Sequence, residues 1–385
     1  MHFRKILILV FVLLSFSIKA QEEEKKWVLY GYVKDMQTAW LDTGSNLLTD
    51  NLIHNRLNLK WYPNDKFTMV VGVRNQLKWG MLTNSIPNYD SILNIDNGYF
   101  DLSETVLSSD AALLHTMVDR IYFDYTKGNL NIRLGRQRIN WGIDLVWNPN
   151  DVFNSFSYFD FDYEERSGID ALKIQYYTGM TSSVEFVYKI DDDIDKMAFA
   201  GMYKFNKFGY DWQILGGLVQ RDIVAGAGFS GDIKGAGFNG EATYFYPKEN
   251  ISDTSGIFVG GLSANYSFKN SLMFNLGMLY NSNGTTGKAG GINILLNTDL
   301  SAKRLTNARV ATIASVSYPI TPLLAGSFAV IYNPNDKSAF IGPTFTYSLA
   351  KDVEFMISGQ IFTGDDGTEF GDYGEIFFMR FRYSF

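Results

Sequence analysis

From Trp27 to Phe385 the chain repeats one pattern, short segments in which apolar side chains alternate with polar or small ones. A period of two is the signature of a half-buried strand, because successive side chains leave a pleated backbone on opposite faces. Eighteen such segments are legible: 27–38, 52–62, 67–79, 115–126, 130–141, 169–178, 182–190, 196–206, 210–221, 223–232, 235–246, 256–268, 271–281, 307–318, 322–332, 338–349, 352–363 and 374–385. Phe67, Met69, Val71 and Val73 share one face of the third segment. In the last, Phe377, Met379, Phe381, Tyr383 and Phe385 share a face, with Arg380 and Arg382 opposite.

The connections alternate in length. Every second one is a tight turn: Pro63–Lys66, Lys127–Asn129, Gly179–Thr181, Asn206–Gly209, Asp232–Gly235, Lys269–Asn270, Pro319–Pro322 and Ala350–Lys351. The others include the long loops 80–114, 142–168 and 282–306. Short turns on one rim and long loops on the other are the mark of an up-and-down transmembrane barrel. Such a sheet must close, because an open edge in hydrocarbon leaves backbone groups unpaired. The expected fold is therefore all-β, a transmembrane antiparallel barrel of 18 strands. The very short connection at Asp222 leaves 16 open. An even count puts both termini on the short-turn, periplasmic side.

Composition fits this reading. Aromatic residues make up 16% of the chain, with 23 Tyr, 30 Phe and 35 Gly. No second stretch of 18 apolar residues follows the N-terminal one, so a helical membrane protein is excluded. The N-terminus itself reads as a signal peptide over 1–20: Arg4 and Lys5, the apolar run Ile6–Ile18, then Ala20 before the acidic Glu22–Glu24. Residues 21–385 then form one barrel domain. Loss of Arg4, Lys5 and Lys19 leaves 31 basic against 41 acidic residues, a net charge of −10. The chain has no Cys, which excludes disulfides, thiolate metal sites and a lipid anchor at the new terminus.

If the apolar phase of each strand faces lipid, the other phase faces a lumen. The inward cations then form one arc over the last strand and the first six: Lys34, Arg56, Lys60, Arg74, Lys78, Arg120, Arg133, Arg136, Arg138, Lys173, Arg380 and Arg382. Placing Arg136 and Arg138 inside requires a bulge near Gly135, where the phase of Ile132 and Leu134 gives way to that of Ile139 and Trp141. Asp124 is the clear inward acid on this arc. The remaining strands carry only Glu185, Lys189, Glu241 and Glu354. A one-sided basic wall in an acidic chain focuses a positive potential and attracts anions. The competing reading is that carboxylates of loop 80–114 (Asp90, Asp96, Asp101, Glu104, Asp110) fold inward and neutralise it.

The stretch Arg133-Leu-Gly-Arg-Gln-Arg-Ile-Asn-Trp-Gly142, followed by Trp147-Asn-Pro-Asn-Asp151-Val-Phe153, resembles the strand-to-loop signature of alginate-export-type and related substrate-selective outer-membrane porins. The resemblance is specific over 135–153 and generic elsewhere. It implies an 18-stranded monomeric channel with Arg136 and Arg138 at its constriction and Asp151 anchoring a loop. The strand ending in Phe385 resembles the C-terminal signal read by the barrel assembly machinery of the outer membrane.

The expected function is thus a porin-like channel of the bacterial outer membrane, passing small anionic solutes or acidic saccharides by passive diffusion. The expected surroundings are lipid and lipopolysaccharide, with no nucleic-acid partner. The alternative is a non-conducting barrel acting as an adhesion or scaffold subunit. An enzyme is not expected: the exported chain has two His, His54 and His115, and neither sits in a hydrolase motif. No cofactor and no metal site are expected, since the runs Asp191–Asp195 and Asp365–Asp366 read as solvated loop tips. The aromatic and acidic loop Phe153–Arg166 reads as packing against the rim rather than as a sugar-capture site.

Overall fold

The computed structural model describes residues 26–94, 96, 98–160, 166–248, 255–290 and 300–385. The signal-peptide reading of 1–20 and the loop-tip residues 161–165 lie outside them. Strands follow one another along the chain: β1 Trp27–Leu41, β2 Leu47–Asn64, β3 Phe67–Gly80, β4 Ser103–Ser108, β5 Leu113–Lys127, β6 Leu130–Gln137, β7 Ile169–Tyr177, β8 Ser183–Lys189, β9 Ala198–Lys207 and β10 Tyr210–Val219. They continue as β11 Asp222–Ile233, β12 Ala236–Pro247, β13 Ile257–Ser267, β14 Met273–Asn281, β15 Val310–Pro319, β16 Leu324–Asn333, β17 Ser338–Ala350, β18 Val353–Thr363 and β19 Glu375–Ser384. Two single-turn helices, α1 (Met81–Ser85) and α2 (Tyr89–Leu93), stand in the β3–β4 connection.

Each strand pairs antiparallel with the next, save that β3 pairs with β5, and β19 returns to β1, with Val33 opposite Tyr383 and Lys34 opposite Arg382. Without β4, a short strand belonging to the long loop, the closed wall has 18 strands. The two-residue connection at Gln220–Arg221 is genuine, so the sixteen-strand option falls. The tight turns form because their residues tolerate positive φ: Lys234 and Gly235 adopt 55° and 85°, the twist a two-residue hairpin needs.

The outer surface carries the apolar phase, with Phe123, Leu134, Phe186, Ile214, Leu262, Leu276, Phe345 and Ile357 all exposed. Aromatic pairs ring the short-turn rim: Trp27 stacks on Trp61 at 5.1 Å and Phe67 meets Tyr125 at 4.8 Å. A belt this apolar between aromatic girdles is a surface solvated by lipid.

Two features differ from the sequence-based expectation. The bulge is not in β6 at Gly135, whose register with β5 is continuous, but in β5, where the pairing with β3 shifts between Arg120 and Val118. Asp119 is the extra residue, so Asp119 and Arg120 both turn away from lipid. In addition, β6 leaves the wall at Gln137. Above that level β4 takes its place beside β5, with Ser103 opposite Met117.

Candidate functional site

Once β6 leaves the wall, the described residues between 138 and 168 lie across the lumen. Its contacts trace the path. Trp141 Nε1 donates to Glu185 on β8 at 2.7 Å, and Gln213 on β10 donates to the Trp141 carbonyl at 2.8 Å. The amides of Ile143 and Asp144 point at the Glu241 carboxylate on β12. Asn150 donates to the Ala227 carbonyl at 3.0 Å and accepts from the Thr243 hydroxyl at 2.6 Å. Finally Gln360 on β18 donates to the Phe159 carbonyl at 3.1 Å. The loop therefore touches β8, β10, β11, β12 and β18, most of the wall opposite the basic arc.

Apolar packing holds it there. On the upper halves of β8–β18 the inward positions are also apolar: Val187, Ala200, Met202, Leu215, Val224, Val259, Leu279, Ile313, Ile331, Phe340 and Phe362 form one core with Ile139, Trp141, Val146 and Trp147 of the loop. The four loop side chains are essentially buried, worth on the order of 10 kcal/mol together as an upper estimate. Trp141 meets Phe153 edge to face at 5.0 Å, and Phe159 packs on Phe340, Phe362 and Phe370. The loop aromatics among the described residues thus pack, as the sequence suggested. Burial pushes the Asp151 carboxyl up to about 7, the nearby Arg138 and Arg166 opposing it only in part.

The lower halves of the same strands carry inward polar groups, many of them neutral and paired with one another. Asn275 bonds Ser315, Ser230 bonds Asn239, and Thr344 pairs with Ser358. The lumen thus holds a loop on one side and is bounded by the basic arc on the other.

Of the twelve cations read from the sequence, five are buried in the structure: Lys34, Arg56, Arg120, Arg136 and Arg380. Their partners are specific. Arg56 reaches Asp119 at 2.6 Å, and Arg120 donates to the Asp119 and Arg166 carbonyls. Arg380 pairs with Glu354 at 2.6 Å. Arg136 grips Asp170 with two nitrogens, at 3.0 and 2.8 Å, contacts Asp96 at 2.5 Å and donates to the Phe100 carbonyl. It shares the phase of outward Leu134, and it clamps the 96–100 segment to the upper end of β6 and β7. It does not line the lumen. The other seven, Lys60, Arg74, Lys78, Arg133, Arg138, Lys173 and Arg382, keep partial exposure. Arg133 pairs with Asp124 at 2.6 Å and Lys173 approaches Glu185 at 3.6 Å. Among the described residues, Lys60, Lys78 and Arg138 have no carboxylate in ion-pair contact. Lys60 lies over the Tyr30 ring, and Lys78 donates to the Tyr89 hydroxyl at 2.7 Å.

The acids on this wall are more numerous than Asp124 alone. Asp119 escaped the sequence because its spacing gives it the lipid-facing phase of Ile121 and Phe123, and only the bulge turns it inward. Asp50 also faces inward, held by the Thr83 amide and hydroxyl. The loop 80–114 supplies Asp96 to Arg136 rather than a lumen plug; the inward loop is 138–168. Tyr32, Lys34, His54 and Arg382 cluster together, with Lys34 and Arg382 over the Tyr32 ring at 4.6 and 4.7 Å.

No protein-family model and no curated protein matches the chain. Solved structures do. OprD of Pseudomonas aeruginosa, titled an outer membrane protein, aligns over 95% of this chain and 97% of its own, with a TM-score of 0.60 and 10% identity. OccAB3 of Acinetobacter baumannii aligns over 93% and 99% with a TM-score of 0.57 and 10% identity. OccD3 of Pseudomonas aeruginosa aligns over 96% and 95% with a TM-score of 0.57 and 8% identity. At such identities the likeness is one of fold, and it extends over nearly the whole of both chains: this protein has the closed 18-stranded barrel of these proteins.

Proposed function

We propose that this protein is an outer-membrane channel passing small anionic solutes along the basic side of its lumen. One observation carries the reading. The described part of the loop 138–168 is seated on the β8–β18 side, and facing it are six wall cations that stay partly exposed, with Arg138 at the start of the loop itself, while Asp119 and Asp124 of that wall and Glu185 of β8 are engaged by Arg56, Arg133 and Lys173. A solute threading the remaining space meets excess positive charge in a confined, low-dielectric setting, where local anion concentration rises. Arg74, Arg133, Arg138 and Arg382 offer planar donors suited to carboxylate, phosphate or sulfate groups, acidic saccharides included. The fold shared with outer membrane protein OprD supports the location. An export segment over 1–20, periplasmic termini and assembly through Phe385 complete the reading, with function in the manner of the alginate-export-type porins that Gly135–Phe153 resembles.

Planar-bilayer recording across a salt gradient tests it. An anion-selective reversal potential is expected, and Lys60→Glu with Lys78→Glu should move that potential toward zero. A folded barrel that does not conduct refutes the channel, and a cation-selective potential refutes the role of the wall.

A further inference from the structure

The lipid-facing side of the barrel is apolar almost everywhere, with one exception. On β1, β2, β3 and β5 the outward positions Asp35, Gln37, Asn51, Asn55, Asn75 and Thr116 form a polar patch. Outward phase is fixed by their neighbours: Asp35 lies opposite exposed Phe381 and Ile53, and Asn55 opposite exposed Val33. A hydrogen-bonded row runs across three of the strands. Asn55 Nδ2 donates to the Tyr32 carbonyl at 3.1 Å, Asn75 Nδ2 to Asn55 Oδ1 at 3.1 Å, and Thr116 Oγ1 to Asn75 Oδ1 at 2.9 Å. The row ends at the Tyr32 carbonyl, and beside it on β1 stands exposed Asp35, which accepts from Gln37 at 2.8 Å.

These residues lie at one depth. Asp35 is eight residues above Trp27, Asn75 eight above Phe67 and Thr116 nine above Tyr125. The aromatic residues they are counted from belong to the girdle at the short-turn rim. Exposed Phe377 and Met379 lie above Asp35 on the neighbouring strand, so the carboxylate is well inside the apolar belt. On the other described strands the outward positions of the belt are aliphatic, aromatic, glycine or threonine, apart from the buried Arg136–Asp170 pair at the upper rim. Ionisable and amide groups facing hydrocarbon are unfavourable and are kept where they meet a partner.

The patch is complementary to itself. Asn55 and Asn75 each use one of two amide hydrogens, so donors remain at the β2–β3 end. Asp35 supplies unused acceptor capacity on β1, beside that end of the row. A two-fold axis along the bilayer normal, passing near Asn55, preserves depth and exchanges the two ends. It brings Asp35 of one copy to the Asn75 amide of the other. We infer that the outer wall of β1, β2, β3 and β5 is a lateral interface with a second copy of this chain, joined by Asp35-to-Asn75 hydrogen bonds across the axis.

The chain has no Cys, so single cysteines report the interface cleanly. Asn55→Cys, and Leu57→Cys as a second probe that spares the amide row, are oxidised in native outer membranes alongside Leu262→Cys on the far wall. Covalent dimers of twice the chain mass are expected from positions 55 and 57 and not from 262. Adding Asp35→Leu with Asn75→Leu, which suits the outer wall better to lipid, should lower dimer yield from position 57 at least tenfold while the barrel keeps its folded mobility. Monomers from both probes overturn the inference. So does a dimer yield indifferent to the leucine pair, or an adduct whose added mass is not that of a second copy.

Discussion

Replacing Trp141 by alanine separates the loop from the barrel that carries it. Its side chain is fully buried between Phe153 and the inward faces of β8 and β10, and its indole N–H is spent on Glu185. Removing a buried tryptophan costs about 3–5 kcal/mol. Losing the charge-assisted hydrogen bond adds about 1–2 kcal/mol, because Glu185 keeps Lys173 nearby at 3.6 Å. The sum, roughly 4–7 kcal/mol, falls on the seating of the loop and not on the sheet, whose ladder does not use Trp141. At about 1.4 kcal/mol per decade, the population with the loop unseated rises by roughly three to five orders of magnitude. Single-channel recording should show a larger conductance with frequent transitions between levels, from a protein that still migrates as a folded barrel. Trp141→Phe, which keeps the ring and loses the donor, should lie between. A folded Trp141→Ala variant with one unchanged conductance level would show that the loop does not set the size of the passage.

Arg136→Ala should cost about 3–5 kcal/mol by leaving Asp170 and Asp96 buried without their cation, read as a lower unfolding temperature, with ion selectivity little changed. A large selectivity change would put this residue back in the passage. Asp151 gives a pH dependence. Its folded value of about 7 lies above the 3.8 of the free side chain, so the folded state holds the proton more tightly. Stability is therefore full at acid pH and falls as pH rises through 4 to 7, by an amount on the order of 4 kcal/mol, then levels off. Asp151→Asn should abolish that slope in thermal melts between pH 5 and 8; an unchanged slope refutes the assignment. At Gly135, φ is +122° and an added Cβ would lie 2.3 Å from the Ile121 carbonyl oxygen. Gly135→Ala should therefore destabilise the departure of β6 from the wall by about 1–3 kcal/mol, visible as faster amide exchange in β6; exchange like that of the parent chain would refute the strain.

Strand number and the places of the tight turns are legible in the chain because they are local. Phe67-Thr-Met-Val-Val-Gly-Val73 announces its phase within seven residues, and Lys234-Gly235 carries the backbone freedom its turn needs. The inward cations are legible wherever one face is apolar and the other is not. That rule fails on β8–β18, where Ala198-Phe-Ala-Gly-Met202 is apolar or small in both phases. One face meets lipid and the other meets the loop, and hydrophobicity alone does not distinguish the two solvents. The same blindness hides Asp119 and misplaces Arg136. A bulge reverses the phase of everything beyond it, and where it falls is set by pairing with β3, where Gly72 meets Arg120 and Val73 meets Val118, residues distant in the chain and adjacent in space. The sequence by itself determined a closed antiparallel barrel with a basic arc. Only the tertiary structure decided which of those cations stay wet, because that depends on carboxylates and a loop delivered from distant segments.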